Sequence, residues 1–223
     1  MPKKVEFTKA GQPDTIRVVE MAMPEPKQGQ VRVKVEFAGI NFADLLMRLG
    51  FYQPRPPYPF TPGYEVSGTI DAVADENSEF RLGQRVVAAM TTGGQASHVV
   101  VDEHRVLPLP DEIELDAAAA IPVTYLTAHH MLHHLGHLES NESVLIHGGA
   151  GGVGTAALQL CQWAGISKVW ATASGSKSSI IESYGGRAID RHNEDFVSII
   201  KKETAGKGVD HILDPIGGEN LTR

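Results

Sequence analysis

The chain holds 223 residues, 42% hydrophobic and 21% charged, with a formal net charge of −7. This is the balance of a soluble globular protein with one large or two small domains, and it excludes nucleic acid as the main partner, since phosphate binding needs clustered Lys and Arg. No apolar run reaches the ~18 residues of a membrane span, the start Met1-Pro2-Lys3-Lys4-Val5 lacks a signal peptide's apolar core, and a lone Cys161 excludes an intrachain disulfide and fits a reducing, cytoplasmic setting.

The first ~120 residues read as β-rich. Val31, Val33 and Val35 alternate with Arg32, Lys34 and Glu36, the mark of a half-buried strand. Further strands are expected at Val66 to Val73, Arg85 to Ala89 and Ala96 to Val101. Between them, Gln53 to Pro62 holds Pro54, Pro56, Pro57, Pro59 and Pro62, which forbid a helix or a central strand. That loop either lines a cleft or forms a rigid surface connection. Asp116 to Ala120 opens a helical stretch that Pro122 interrupts.

From Ser143 strands alternate with helices, which indicates a parallel sheet. The expected strands are Ser143 to His147, Lys168 to Thr172, Arg187 to Asp190 and Val209 to Asp214. Val153, Ala157, Leu160, Cys161 and Ala164 share one face of the first helix, so Cys161 reads as a packing residue. Ser176 and Asn193 are candidate N-caps, Gly185 and Gly206 candidate stops.

The loop between the first of these strands and its helix is Gly148-Gly149-Ala150-Gly151-Gly152-Val153-Gly154. It contains G-x-G-x-x-G at Gly149, Gly151 and Gly154. The first glycine permits a tight turn, the second close approach to a pyrophosphate, the third close packing of helix on strand. Flanked by an apolar strand and an amphipathic helix, the pattern points to dinucleotide binding over a structural turn. The second strand ends in Ala171-Thr172-Ala173-Ser174-Gly175-Ser176-Lys177, with no acid for a ribose 2′-hydroxyl. Ser174, Lys177 and Arg191 suit a 2′-phosphate, so NADPH is expected rather than NADH. A solvated helix lysine is the other reading of Lys177.

His129, His130, His133, His134 and His137 crowd one helical stretch without the H-E-x-x-H pattern, and read as a solvated face rather than a metal site.

Phe37 to Asp44, Pro62 to Gly68, Ala118 to Ala128, the glycine loop, and Asp214-Pro215-Ile216-Gly217-Gly218 together resemble the medium-chain dehydrogenase/reductase superfamily, in its zinc-free quinone oxidoreductase branch with zeta-crystallin and vesicle amine transport protein-like members. The resemblance implies a GroES-like catalytic domain over 1–122 and a Rossmann dinucleotide-binding domain over 123–223. The latter holds four of six strands, so a truncated sheet lacking part of the substrate pocket is expected. Zinc-dependent relatives place Cys and His where this chain has Asn41 and Tyr64, which implies no catalytic zinc. The implied reaction is hydride transfer from NADPH to a quinone or an α,β-unsaturated carbonyl. The alternative is a cofactor-binding, non-catalytic protein acting through partners. Asn41 and Tyr52 would flank nicotinamide and substrate, and Thr127 would contact the carboxamide. The other reading of Asn41 is a loop-capping amide and that of Tyr52 a packed aromatic; Glu65 reads as a remnant of the zinc-site segment. A homodimer is open to a full-length form.

Overall fold

The computed structural model describes residues 1–53 and 55–223; Pro54 of the proline-rich loop lies outside the described residues. The chain divides into two compact units, Met1–Val123 and Thr124–Arg223.

In the first unit β1 (Lys3–Phe7) pairs antiparallel with β2 (Ile16–Glu20). A five-stranded antiparallel sheet follows, built from β3 (Gln30–Ala38), β4 (Glu65–Val73), β5 (Arg85–Ala89), β6 (His98–Asp102) and β7 (Val106–Pro108). Its order is β6-β3-β4-β5-β7. The alternation in β3 turns Val31 and Val33 onto a core with Val66, Ile70, Val86 and Val101. The β3–β4 register slips at Arg32/Val33 and again at Val35/Phe37. Such bulges bend a strand, and here they lead β3 into Gly39, Ile40 and Asn41 at the start of α1 (Phe42–Leu49). This helix comes into view in the sequence only through the resemblance, since eight residues are too few to establish a period. Its Met47 packs with Phe7 and Phe60, and Tyr52, Tyr58 and Tyr64 surround them. Phe60 tethers the proline loop by exchanging backbone hydrogen bonds with Phe7, at 2.9 and 3.2 Å.

Pro122 does divide the expected helical stretch. α2 (Leu115–Ala118) stops before it, and α3 (Ile121–His129) restarts with the proline in its first turn, where its missing N–H is not needed. A π-helical turn, His130–Leu135, extends α3.

The second unit is a four-stranded parallel sheet in the order β10-β9-β8-β11. It comprises β8 (Ser143–Ile146), β9 (Lys168–Ala173), β10 (Arg187–Asp190) and β11 (His211–Leu213). The connecting helices are α4 (Gly152–Trp163), α5 (Ser178–Ser183) and α6 (Phe196–Glu203). Of the expected apolar face of α4, Ala157 and Cys161 are buried in the core beside Val144, Ile146 and Ala171, Val153, Leu160 and Ala164 pack partly buried against it, and Ala156 and Leu158 are buried as well. β11 is shorter than Val209 to Asp214 because Asp210 turns aside to Ser143. Its carboxylate accepts the Ser143 N–H at 2.8 Å and the hydroxyl at 2.6 Å. Two caps also differ. Ser174, not Ser176, precedes the turn Gly175–Lys177, and α5 begins after it. Asp195, not Asn193, caps α6 by accepting the Ser198 N–H at 3.0 Å.

Candidate functional site

β8 is the strand at which the order reverses, with β9 on one side and β11 on the other. In open parallel sheets ligands bind outside the carboxyl ends of the strands at such a point. The glycine loop leaves β8 there. Thr172 of β9 holds it: its carbonyl accepts the Gly149 N–H at 2.8 Å and its hydroxyl the Gly148 N–H at 3.3 Å. His147, buried under the loop, sets Nδ1 3.1 Å from the same hydroxyl. Burial holds its imidazole below the ordinary value.

The glycines are spaced for backbone contact. A Cβ on Gly149 would stand 2.5 Å from Cβ of Ala171, and one on Gly154 2.3 Å from the Gly148 carbonyl oxygen. Loop, strand and α4 therefore meet with no room for side chains. The first bond of the helix runs from Thr155 N–H to Gly151 at 2.8 Å. The N–H groups of Gly152, Val153 and Gly154 thus have no helical acceptor. Ala150 is half-buried, while Gly151 and Gly152 are exposed. A run of backbone donors at the positive end of a helix fits the pyrophosphate of a dinucleotide. α3 passes the same loop, since a Cβ on Gly152 would lie 3.0 Å from Cγ2 of Thr124. Thr127, exposed, lies one helical turn further on.

Ser174 follows β9, and exposed Lys177 follows it in the next turn. Arg191, also exposed, follows β10 and donates its N–H to the Ala173 carbonyl at 2.9 Å, so the two strand ends are joined. One neighbour escapes a reading along the chain. Asp190 closes β10 against the Gly175 backbone, where a Cβ would lie 2.7 Å from its Oδ2. Hydrogen bonds from the His192 N–H at 3.1 Å and Asn193 at 2.7 Å hold its carboxyl below the usual range. An ionised carboxylate therefore stands beside the acid-free segment, already committed to backbone and amide donors.

In the first unit Asn41 caps α1. Its N–H donates to Oδ2 of Asp44 at 2.9 Å, and its side chain faces the Asp44 N–H in a reciprocal capping box. Its Nδ2 donates to Oε1 of Glu65 at 2.8 Å. Asp44 and Glu65 are both buried, and burial raises both carboxyl pKa values. Tyr52 and Tyr64 pack against the same cluster, and the Tyr64 hydroxyl reaches Sδ of Met47 at 3.9 Å. Burial first, and then Tyr52, push the Tyr64 phenol up. At the positions of the zinc ligands this donor set is an amide bonded to a carboxylate and a phenol beside a thioether, which does not fit a zinc ion.

The histidines pair by ring contact, His129 with His133 at 4.9 Å and His130 with His134 at 4.7 Å. Among the described residues, no group of three or more His, Cys, Asp or Glu is placed to hold a metal ion.

Comparison with known proteins places both halves. The alcohol dehydrogenase GroES-like domain matches residues 27–111, and the zinc-binding dehydrogenase family matches residues 152–223. The synaptic vesicle membrane protein VAT-1 homolog of Danio rerio is 42% identical over 204 residues, covering 91% of this chain and 42% of that protein. The human quinone oxidoreductase is 34% identical over 224 residues, covering 99% of this chain and 68% of its own. The chain thus spans about half the length of the VAT-1 relatives it matches, from 42% to 51%. Among solved structures, the CurK enoyl reductase superposes with a TM-score of 0.93 at 33% identity, over 99% of this chain and 69% of that one. A mycobacterial protein solved with NADPH superposes at 0.86 and 31% identity, over 98% and 68%. With the glycine cradle on a parallel sheet and the bulged antiparallel sheet before it, these likenesses make the chain a member of the medium-chain dehydrogenase/reductase superfamily, in the branch of the quinone oxidoreductases and VAT-1 homologs.

Proposed function

We propose that the protein is an NADPH-dependent oxidoreductase that reduces a quinone or an α,β-unsaturated carbonyl without zinc. The observation behind it is the glycine cradle, where Cβ atoms at Gly149 and Gly154 would fill the space that backbone needs. When bound, the dinucleotide supplies the hydride, and the protein binds, orients and shields. The N–H groups of Gly152, Val153 and Gly154 would hold the pyrophosphate, with Ala150 and Gly151 shaping the turn. Ser174, Lys177 and Arg191 would take the 2′-phosphate, because Asp190 is occupied by its own donors. Thr127 would hold the carboxamide.

Asn41 and Tyr52 would orient the acceptor by hydrogen bonds. An acceptor that is already electrophilic needs no Lewis acid, which suits the missing zinc ligands. Exposed Ile40 and Phe42 flank Asn41, and exposed Phe51 precedes Tyr52, so apolar surface adjoins both in sequence. In this reading 1–122 serves catalysis and 123–223 the cofactor, the partner is a small molecule, and the setting is cytoplasmic. No helix among the described residues is long and apolar enough to cross a membrane. The names of the quinone oxidoreductase and enoyl reductase relatives support the acceptor class, and the NADPH complex supports the cofactor.

The 42% identity to a VAT-1 homolog favours a second reading, a cofactor-binding protein that works through partners. Mixing protein, NADPH and a small quinone or enone separates the two. Consumption of NADPH supports the oxidoreductase. Binding without consumption, in a full-length form, supports the second reading.

A further inference from the structure

Glu65 opens β4 and is 2% exposed. A carboxylate so buried must be surrounded by donors. Its Oε1 accepts Nδ2 of Asn41 and its Oε2 accepts the Val123 N–H, each at 2.8 Å. The space for it is made by Gly39, where a Cβ would lie 2.2 Å from Oε1.

These contacts assign the two ends of the Asn41 amide. The oxygen faces the Asp44 N–H in the capping box, and the nitrogen faces Glu65. Rotating the amide by half a turn would set NH2 against an N–H and the oxygen against a carboxylate. Both contacts would then be repulsive. With one Nδ2 proton on Glu65, the second is what Asn41 can offer to a ligand, and a carbonyl oxygen accepts it.

We propose that Glu65 is a positioning residue, which fixes the sense of the Asn41 amide so that its free N–H serves a carbonyl acceptor. The inference rests on the reading of Asn41 as an acceptor-side residue. It requires an acceptor-only group at 65, because both neighbours of the side chain donate. Glutamine there would turn an NH2 against either Val123 or Asn41.

The test compares the whole chain as wild type, Glu65→Gln, and Glu65→Gln combined with Asn41→Asp. The single variant should shift the Asn41 side-chain amide pair in a nitrogen–proton NMR spectrum. It should also lower kcat on a small quinone about tenfold or more, with the NADPH Kd held within about twofold. In the double variant donors and acceptors match again, so the melting temperature should return toward wild type. Turnover should stay low, because the new carboxylate has no amide proton. If Glu65→Gln fails to fold, a folded double variant with low turnover supports the same assignment. An unmoved Asn41 amide in Glu65→Gln overturns the inference whether or not the protein reduces quinones. Full turnover in either variant overturns it as well. If the wild type consumes no NADPH in a full-length form either, the proposed function fails, and the amide shift alone decides the positioning role.

Discussion

Gly154→Ala should cost the protein its dinucleotide although alanine is the better helix former. Within α4 the exchange gains about 1 kcal/mol of backbone entropy. Against that gain, the new Cβ would lie 2.3 Å from the Gly148 carbonyl oxygen and 2.7 Å from Cα of Gly149. Since Cβ contacts under 3.0 Å are essentially never seen, helix and loop must separate by at least about 0.7 Å. Neither obstacle can swing aside, for both are backbone, and Gly149 is pinned to Thr172 at 2.8 Å. Overpacking of this kind costs about 1–3 kcal/mol, which leaves a net loss of up to about 2 kcal/mol and a melting temperature lower by up to about 8 °C. The same displacement takes the N–H groups of the first turn out of line with a phosphate. Losing one charge-assisted bond there costs about 1.5–3 kcal/mol, or roughly 10- to 150-fold in Kd. Fluorescence titration with NADPH and a thermal melt measure the two effects. Gly165→Ala is the control, because its φ of +74° strains an alanine while nothing lies within 4 Å. It should melt lower and bind NADPH normally. A Gly154→Ala protein that melts higher and keeps its NADPH affinity would refute the close-approach reasoning.

Ser174→Asp should weaken NADPH about tenfold or more by repelling a 2′-phosphate while sparing NADH; equal effects on the two Kd values would dismiss the 2′-phosphate site. Cys161 is 1% exposed, and burial pushes its thiol up to about 11, so the folded protein should resist a thiol reagent that labels the unfolded chain at once. Rapid labelling without unfolding would contradict that. Burial also depresses His147 below its ordinary 6.5. The unfolded chain then binds the proton more readily, so this contribution to stability is complete above the ordinary value and is lost as pH falls from there through the depressed value of the folded state. Denaturation midpoints at about pH 7 and about pH 5.5 should differ by less in His147→Gln than in wild type. An undiminished difference would show that other groups set the slope.

What the sequence disclosed follows the range of each signal. The glycine loop was legible because strand, turn and helix start are consecutive residues and the glycine spacing is itself a local pattern, even though the atom that bars a Cβ at Gly149 belongs to Ala171 of β9. Val31 and Val33 were legible because alternation is local. Cap positions were harder. Ser174 and Ser176, or Asn193 and Asp195, offer the same chemistry two residues apart, and the choice depends on where the preceding strand ends. Asp190 was invisible as a neighbour of Gly175, since the β9–β10 register places them together and no spacing encodes that. Glu65 was read as a remnant for a similar reason. Its partners Gly39, Asn41 and Val123 are scattered along the chain, and only the bulged turn out of β3 gathers the first two around β4.

The most direct measurement of a dinucleotide held by the glycine loop is an NMR titration of the labelled protein with NADPH. The backbone amides of Gly151, Gly152, Val153 and Gly154 should move first and saturably, followed by those of Ser174, Lys177 and Arg191. Saturable binding that leaves the four loop amides unmoved, or no binding at all, would contradict it.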